Sequence, residues 1–304
     1  MWIADRWKDF EVVDASDGEK LERWSDYFLV RPDPQVIWKT DRTAVEWKKP
    51  SAIYHRSSKG GGSWQIFALP QSFCVRYDAM SFRLKPMSFK HTGLFPEQAV
   101  NWDFASDLIR RSGRAEIRVL NLFAYTGAAS VACAKAGAQV CHVDASKGMV
   151  AWAKENAQLN GISNIRFIVD DCVKFAEREI RRQKTYDAII MDPPSYGRGP
   201  GGEVWKLENE LYGLLELCLN LLSSQPLFFL LNSYTTGLSA GCMQYMLGST
   251  VGRKFGGIVQ SEEIGLPVTK SGLVLPCGAT ARWYRPLRQY DLMASMRSFV
   301  GFER

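Results

Sequence analysis

From about residue 97 onward, the chain alternates continuous apolar runs with amphipathic segments. Five apolar runs are separated by helix-like stretches: IRVLNLF, AQVCHVD, IRFIVDD, YDAIIMD and LFFLLNS. Before the first run, Val100, Phe104 and Leu108 recur at every fourth position, which is the spacing of one helix face. After the second run, GMVAWAKENAQLN is followed by Gly161, a residue type common at helix C-termini. Strands that are apolar throughout and alternate with helices predict an α/β fold, with a mostly parallel sheet covered on both faces.

The first 88 residues have a different pattern. Short apolar and aromatic runs alternate there with Pro, Asp and Gly turns: FEVVD, YFLV, QVIW, SAIY, WQIFAL and FCVRY. This spacing predicts β-strands. The stretch SSKGGGS at 57–63 is expected to be a flexible hairpin tip, because no helical pattern follows it. We therefore predict a small β-rich, substrate-facing N-terminal domain over 1–88 and a larger α/β domain over 89–304.

The composition is that of a globular protein, and it argues against a membrane span, a signal peptide, a disulfide framework and a metal site. Hydrophobic residues make up 46% of the 304 residues and charged residues 23%, and no apolar run approaches the ~20 residues of a membrane span. The N-terminus has no apolar stretch behind a basic start, so no signal peptide is expected. Seven scattered cysteines without a C-x-x-C pair, and three distant histidines, argue against a disulfide framework and a metal site. We expect a cytoplasmic protein with no membrane or metal partner, and the sequence leaves a homo-oligomer open.

Charge is unevenly distributed along the N-terminal part. The whole chain has a net charge of +6, but residues 1–38 carry five basic and nine acidic side chains, whereas residues 39–90 carry ten basic and three acidic ones. The second block also interleaves charge with aromatic residues, as in WKTDRTAVEWKKPSAIYHRSSKGGGSW. Polyanions with exposed bases bind such surfaces through phosphate contacts and stacking. A nucleic acid is therefore the expected partner of the 39–90 region, and an ordinary solvated sheet face is the alternative.

In an open parallel sheet, ligands bind at the carboxyl ends of the strands. The five runs stop at Phe123, Asp144, Asp171, Asp192 and Asn232, and three of these five residues are carboxylates. The loop after the first run, NLFAYTGAAS, contains a single glycine. A dinucleotide site requires G-x-G-x-x-G there, so that the backbone can approach a pyrophosphate. The loop therefore argues against NAD, FAD or ATP.

Two of these carboxylates suit a nucleoside without phosphates. Asp144, with Ser146 beside it, stands where an acid accepts hydrogen bonds from both ribose hydroxyls. Asp171 can accept from an adenine amino group while the backbone N–H of Cys172 donates to the ring. Either acid could instead cap the helix that follows it. A ribose acid and an adenine acid without a phosphate loop together indicate S-adenosylmethionine as the cofactor.

Residues from about 89 to 304 resemble the class I S-adenosylmethionine-dependent methyltransferases, which have a Rossmann-like fold with a mostly parallel seven-stranded sheet. The resemblance is carried, in the order typical of the family, by HTGLFPEQAVNW, NLFAYTGAASVACAKAGA, VDASKGMVAWAKENAQLNG, DDCVKF and MDPPSY. It is greatest to the bacterial enzymes that methylate 23S rRNA bases at cytosine carbon 5 or guanine nitrogen 7. The first 88 residues lack the pattern of the RNA-binding domain with which the cytosine enzymes begin.

The resemblance implies a set of site residues. Besides the four residues just described, the implied cofactor residues are Phe95, Gln98, Phe123, Tyr125, Gly127 and Asp192. The implied catalytic residues are Asp192, Pro193, Pro194, Tyr196 and Asn232. Because prolines remove backbone donors, the tip of MDPPSY offers a carboxylate and carbonyls to a base, on which Tyr196 can stack. The alternative is that the prolines simply end a strand and Asp192 caps a turn.

The position of the cysteines bears on the atom that is methylated. Cytosine carbon 5 reacts only after a thiolate has added to the ring. The cytosine members of the family keep that cysteine at the end of the fifth strand, where this chain reads LLNSYTTG, and no cysteine follows Pro194 either. Cys242 would reach the site only if its loop folded inward. We therefore expect methylation of a base nitrogen in RNA, with rRNA and guanine favoured. The alternatives are a methyltransferase for a protein or small molecule, and an RNA-binding protein that binds the cofactor without catalysis.

Overall fold

The computed structural model describes residues 1–57, 61–198, 204–235 and 237–287, so the centre of the predicted hairpin tip, 58–60, lies outside the described residues. The strands, in chain order, are β1 (Trp2–Ile3), β2 (Phe10–Ser16), β3 (Glu19–Trp24), β4 (Tyr27–Pro32), β5 (Ala52–Arg56), β6 (Gly62–Ile66), β7 (Phe73–Tyr77), β8 (Met80–Leu84), β9 (Arg118–Leu122), β10 (Gln139–Asp144), β11 (Ile165–Val169), β12 (Ala188–Met191), β13 (Tyr196–Arg198), β14 (Val204–Lys206), β15 (Phe228–Ser233), β16 (Ile258–Pro267) and β17 (Val274–Tyr284). The helices are α1 (Ala99–Arg111), α2 (Ala128–Lys135), α3 (Lys147–Leu159), α4 (Cys172–Arg181), α5 (Leu207–Leu219), α6 (Ala240–Leu247) and α7 (Arg253–Phe255).

An eight-stranded sheet forms the centre of the C-terminal part. Its strand order is β1-β16-β17-β15-β12-β9-β10-β11, and β17 runs antiparallel to both of its neighbours. The five apolar runs of the sequence are β9, β10, β11, β12 and β15 of this sheet, as predicted. The Rossmann-like fold is therefore confirmed, and the two-residue strand β1 adds an edge to the seven strands expected.

Alternate residues of the central strands pack against helices on opposite faces of the sheet. In β12, Ile189 and Met191 belong to the core formed with α4, α5 and α6, whereas Ala188 and Ile190 belong to the core formed with α1 and α2. All four side chains are buried. Because neither face of such a strand meets water, both sets of positions must be apolar, which explains the unbroken apolar runs.

The N-terminal part forms a five-stranded sheet, β2-β3-β4-β5-β6, followed by the hairpin β7–β8. The run QVIW was predicted as a strand and forms none, because Pro34 lies in a turn in which the Val36 N–H donates to the Asp33 carbonyl. Val12 and Trp24 of this sheet share a core with α1 and β16 of the α/β part. The division of the chain at residue 88 stays a prediction, and the shared core holds the N-terminal sheet against the segment that enters α1.

Within the described part of the chain, no helix combines the length and the apolar character that crossing a membrane requires.

Candidate active site

The carboxyl ends of β9, β12 and β15 open into a cleft of about 580 Å³. Seven residues predicted from the sequence line it together: Phe95, Gln98, Phe123, Tyr125, Gly127, Asp192 and Asn232. The remaining lining is largely apolar and includes Leu94, Trp102 and Ile190. A concave, mostly apolar site with a few polar groups is typical of small-molecule and cofactor sites.

The loop between β9 and α2 is held in an uncommon backbone conformation. Phe123 and Tyr125 have φ angles of 55° and 51°, in the left-handed region, and Gly127 has a φ of 86°. A non-glycine residue there costs on the order of 1–3 kcal/mol unless its surroundings hold it. Cys172 Sγ accepts from the Phe123 N–H at 3.3 Å, and Asp144 Oδ2 accepts from the Tyr125 N–H at 2.8 Å. Two of the predicted cofactor residues therefore also hold the shape of the cleft wall.

Asp144, Ser146 and Asp171 make helix-cap and turn contacts, which is the alternative role that the sequence suggested for the two acids. Oδ1 of Asp144 accepts from the Ser146 N–H at 2.8 Å, and burial raises the pKa of this carboxyl. Oδ1 of Asp171 accepts from the Lys174 N–H at 2.9 Å and caps α4, while the Ser146 side chain caps α3. A carboxylate offers about four lone pairs. The capping bonds therefore leave acceptors for ribose and adenine, and those roles stay predictions.

A chain of buried amide side chains fixes the orientation of Asn232. Arg282 donates twice to Oδ1 of Asn101, from Nε at 3.0 Å and from Nη2 at 2.7 Å. Because arginine only donates, Asn101 must present its oxygen to Arg282 and donate from Nδ2. That nitrogen reaches Oδ1 of Asn232 and Oε1 of Gln98, each at 2.9 Å. With its oxygen occupied, Asn232 has its Nδ2 amino group left for a ligand in the cleft.

The same chain continues from Gln98 to an acidic side chain. Nε2 of Gln98 donates to the Tyr234 hydroxyl at 2.8 Å, and this hydroxyl is hydrogen-bonded to the Glu97 carboxylate. Glu97 is only 5% exposed, and burial raises its pKa. Lys20 and Arg31 of the N-terminal sheet partly oppose this effect. The N-terminal sheet therefore contributes positive charges that act on Glu97, next to the cleft.

Asp192 lines the cleft at the end of β12 without a partner. Among the described residues, none donates a hydrogen bond to its carboxylate. Burial, together with the neighbouring Glu97 carboxylate, raises the pKa of Asp192 to about 7. Its charge therefore changes within the neutral pH range.

The residues of the MDPPSY tip beyond Asp192 do not line the cleft, and the catalytic roles of Pro193, Pro194 and Tyr196 stay predictions. The Pro194 carbonyl, predicted to accept from a base, already accepts from the indole N–H of Trp205 at 2.6 Å. Pro193 is buried, whereas Pro194 is exposed. Tyr196 is 51% exposed at the start of β13 and does not line the cleft, so its stacking on a base stays a prediction.

No described cysteine is placed to attack a base beside Asp192. Cys133 is the one cysteine that lines the cleft within the described part of the chain, and burial raises its pKa to about 12. It is therefore a neutral thiol near pH 7. Cys242 is exposed on α6 and lies outside the lining. The described residues likewise contain no group of three or more His, Cys, Asp or Glu side chains that could hold a metal ion.

Sequence reasoning gave no role to several residues that complete the site: Glu97, Asn101, Trp205, Tyr234 and Arg282. One usable signal was present, since Gln98 and Asn101 are polar residues three positions apart on a helix face whose other residues are mostly apolar. No local pattern could mark Arg282 as the partner of Asn101, because 181 residues separate them.

The fold and the cleft together define a class of enzyme. Residues 59–219 match the family model of the S-adenosylmethionine-dependent methyltransferases. The chain is also 37% identical to a SAM-dependent methyltransferase from Agrobacterium tumefaciens, whose crystal structure matches with a TM-score of 0.87 over 94% of this chain and 93% of that one. The protein belongs to this family and is an S-adenosylmethionine-dependent methyltransferase.

Two further comparisons concern a ribosomal RNA methyltransferase and a solved structure with a bound ligand. It is 36% identical over 239 residues to the ribosomal RNA large subunit methyltransferase K/L of Shewanella baltica, covering 70% of this chain and 32% of that relative. The chain thus spans about a third of the length of this relative. A methyltransferase solved in complex with SAH shares the fold at 20% identity, with a TM-score of 0.68 over 91% of this chain and 76% of the other.

The cleft suits the cofactor of the family. Its aromatic wall contains Phe95, whose ring centroid lies 5.5 Å from that of Tyr125 and 5.3 Å from that of Tyr234. The glycine-poor loop after β9 provides no phosphate cradle, and the cofactor has no phosphate to place there. When bound, S-adenosylmethionine supplies an activated methyl group, and the residues of this chain bind and orient it.

Asp144→Ala should weaken S-adenosylmethionine binding by about 1.5–3 kcal/mol, the loss expected for hydrogen bonds to a charged acceptor. The loop would also lose the bond that holds Tyr125. Calorimetry gives the affinity, with Asp107→Ala as a control that removes an exposed carboxylate on α1 outside the cleft. Unchanged affinity in Asp144→Ala would remove this residue from the cofactor site.

Proposed function

We propose that this enzyme methylates a base nitrogen in RNA, with large-subunit ribosomal RNA as the favoured substrate and guanine as the first candidate base. One observation carries the proposal. Asp192 and Asn232 each follow the paired residues Met191 and Leu231 of adjacent parallel strands, so an acceptor and a donor stand side by side at the cleft. Base edges present donors and acceptors in such adjacent pairs. The relative from Shewanella baltica is named as a ribosomal RNA methyltransferase, which supports RNA as the substrate class.

A nitrogen target agrees with the chemistry available at this site. A base nitrogen has its own lone pair, so methyl transfer to it needs mainly alignment with the activated methyl group. Cytosine carbon 5 would need a protein thiolate. Since Cys133 is a buried neutral thiol and Cys242 lies outside the cleft, the described residues favour nitrogen.

The N-terminal sheet provides a surface suited to RNA. Lys48, Lys49 and Arg56 are exposed, and none of them forms an ion pair with a described acid. Phe67 is 56% exposed and is held beside this basic segment, because its N–H donates to the Ser51 carbonyl at 3.0 Å. Cations that contact phosphates next to an exposed aromatic ring that stacks on bases are typical of single-stranded RNA binding.

This surface connects directly to the cleft. Trp64 of β6 donates its indole N–H to the Met87 carbonyl at 2.9 Å. The Sδ of Met87 in turn lies 3.3 Å from the hydroxyl of Tyr125, a residue of the cleft wall. Two contacts through Met87 therefore join the N-terminal sheet to the cleft wall, which supports this sheet as the surface that presents RNA to the site.

Large-subunit rRNA incubated with the enzyme and methyl-labelled cofactor should yield N-methylated guanosine, measured by mass spectrometry of the digested nucleosides. Reversing Lys48, Lys49 and Arg56 to Glu should weaken RNA binding at least about tenfold near 0.1 M salt and reduce its salt slope by roughly 2–3. Cofactor affinity should stay unchanged.

A charge-matched control reverses Arg110, Lys135 and Lys184, which are exposed at the opposite, amino end of the strands. That triple variant should bind RNA like the wild type. Salt-independent RNA binding would favour a small-molecule substrate. Labelled 5-methylcytidine would contradict the nitrogen target, and failure of a single-turnover transfer would favour a protein that binds RNA without catalysis.

A further inference from the structure

The charge of the cleft is unbalanced. Of the described residues that line it, Asp192 is the one whose side chain can be charged near neutral pH, and the lining contains no Lys, Arg or His. Burial raises the pKa of both Tyr125 and Cys133, the other two titratable side chains of the lining, so both stay neutral. A carboxylate at this position therefore has no cation to offset it within the cleft.

The charged groups around the cleft do not supply that cation either. Glu97 and Tyr234 face Asp192 from the turn before α1 and from the end of β15, and Glu97 adds a second negative charge. The nearest cations, Lys20 and Arg31, lie beyond Glu97 and are paired with Glu22 at 3.3 Å and 2.6 Å. The groups around the cleft thus add negative charge and no unpaired cation.

The walls of the cleft also favour a positive charge. Phe95, Phe123 and Tyr125 all line it. The face of an aromatic ring attracts a cation that lies within about 6 Å of its centre. An unpaired carboxylate and three aromatic rings in one small cleft are the groups that a cationic ligand selects.

We propose that the Asp192 carboxylate discriminates the sulfonium cofactor from its neutral thioether product, and that binding of the cofactor expels the Asp192 proton. Transfer of the methyl group uses a lone pair of the acceptor for the new bond and leaves the electron pair of the broken S–C bond on sulfur. The positive charge passes to the acceptor and leaves the cleft as a proton or with the methylated product. The sulfur then becomes neutral, and the carboxylate no longer has a cation on that side. The product S-adenosylhomocysteine is therefore held less tightly than the cofactor, which favours turnover. This inference rests on the cofactor class and is independent of RNA as the substrate.

The discrimination should depend on pH in a defined direction. In the free enzyme the pKa of Asp192 is raised to about 7 by burial and by Glu97. A cation favours the ionised form, so cofactor binding competes with a proton at pH 6 and no longer does so at pH 8. The ratio of S-adenosylmethionine affinity to S-adenosylhomocysteine affinity should therefore rise about tenfold between pH 6 and pH 8.

Calorimetric titration of the full chain with each ligand measures this ratio. The contributions of groups that the two ligands share cancel in it. In buffers of different ionisation enthalpy, the heat of S-adenosylmethionine binding should show proton release near pH 6, and that of S-adenosylhomocysteine should show much less. Asp192→Asn should make the ratio independent of pH. Glu97→Gln removes a neighbouring negative charge and should move the midpoint of the rise to lower pH, which a purely structural role for Glu97 would not do.

Two results would overturn the inference. The first is a wild-type ratio that changes less than about twofold between pH 6 and pH 8. The second is an Asp192→Asn variant that keeps the pH dependence. If that variant fails to fold, the buffer dependence of the wild-type heats decides, since absence of proton release contradicts the proposal by itself. Neither measurement involves RNA, so the substrate proposal can fail without affecting this one.

Discussion

Asp192→Asn should lower the turnover of methyl transfer by a factor on the order of 100 or more, because the base loses the acceptor that aligns it. Asparagine has nearly the same size, but part of its amide is a donor, which would meet donors on the base. Affinity for S-adenosylhomocysteine, which has no charge on sulfur, should stay within about threefold of the wild type. Asp107→Asn, an exposed change on α1, is a matched control expected to retain full turnover.

Folding losses can be separated from this loss of turnover by the sign of the stability change. The pKa of Asp192 is raised from 3.8 to about 7, so the unfolded chain holds the Asp192 proton less tightly than the folded one. Stability from this group is present below pH 4 and is lost as the pH rises toward 7. The neutral Asn variant should therefore be more stable than the wild type at pH 8, by roughly 1–3 kcal/mol. Turnover within about tenfold of the wild type would remove Asp192 from the catalytic residues.

Glu22→Gln should lower the free energy of unfolding by about 3–5 kcal/mol, because it leaves a buried charge without its partner. Glu22 is fully buried, and Arg31 donates to its two carboxylate oxygens at 2.6 Å and 2.8 Å. Arg31 also donates to the Lys90 carbonyl at 3.0 Å. The ion pair thus ties the N-terminal sheet to the segment that leads to Phe95, so cofactor affinity should fall together with stability.

The pH dependence identifies the ion pair as the cause. Burial alone would raise the pKa of Glu22, but Arg31 and Lys20 lower it from 4.5 to about 2. The ionised carboxylate therefore contributes stability above pH 4.5 that is lost as the pH falls toward 2. Urea unfolding should show a large difference between Glu22→Gln and the wild type at pH 7 and a smaller one at pH 3. The double variant Glu22→Leu with Arg31→Met should recover most of the loss at pH 7, whereas a loss below about 1 kcal/mol in Glu22→Gln would contradict the role of the pair.

The sequence by itself determined the α/β fold, the order of its strands along the chain and the edge at which the site lies. Burial on both faces forces a strand such as β12 to be apolar at every position, and this leaves a pattern that can be read locally. The carboxyl ends of those strands then marked five residues, three of which share one cleft: Phe123, Asp192 and Asn232. The absence of a glycine-rich loop is likewise visible in the amino-acid sequence alone, and it pointed to a nucleoside cofactor without phosphates.

Only the tertiary structure decided how these residues act. The left-handed backbone of Phe123 and Tyr125 depends on hydrogen bonds to Cys172 and Asp144, which lie at the start of α4 and at the end of β10. The amino group that Asn232 offers to a ligand is set through Asn101 by Arg282, far along the chain. The charge of Asp192 depends on its burial and on Glu97. Hydrogen-bond direction and electrostatic coupling act through space between elements that the chain brings together only on folding, so no local periodicity records them.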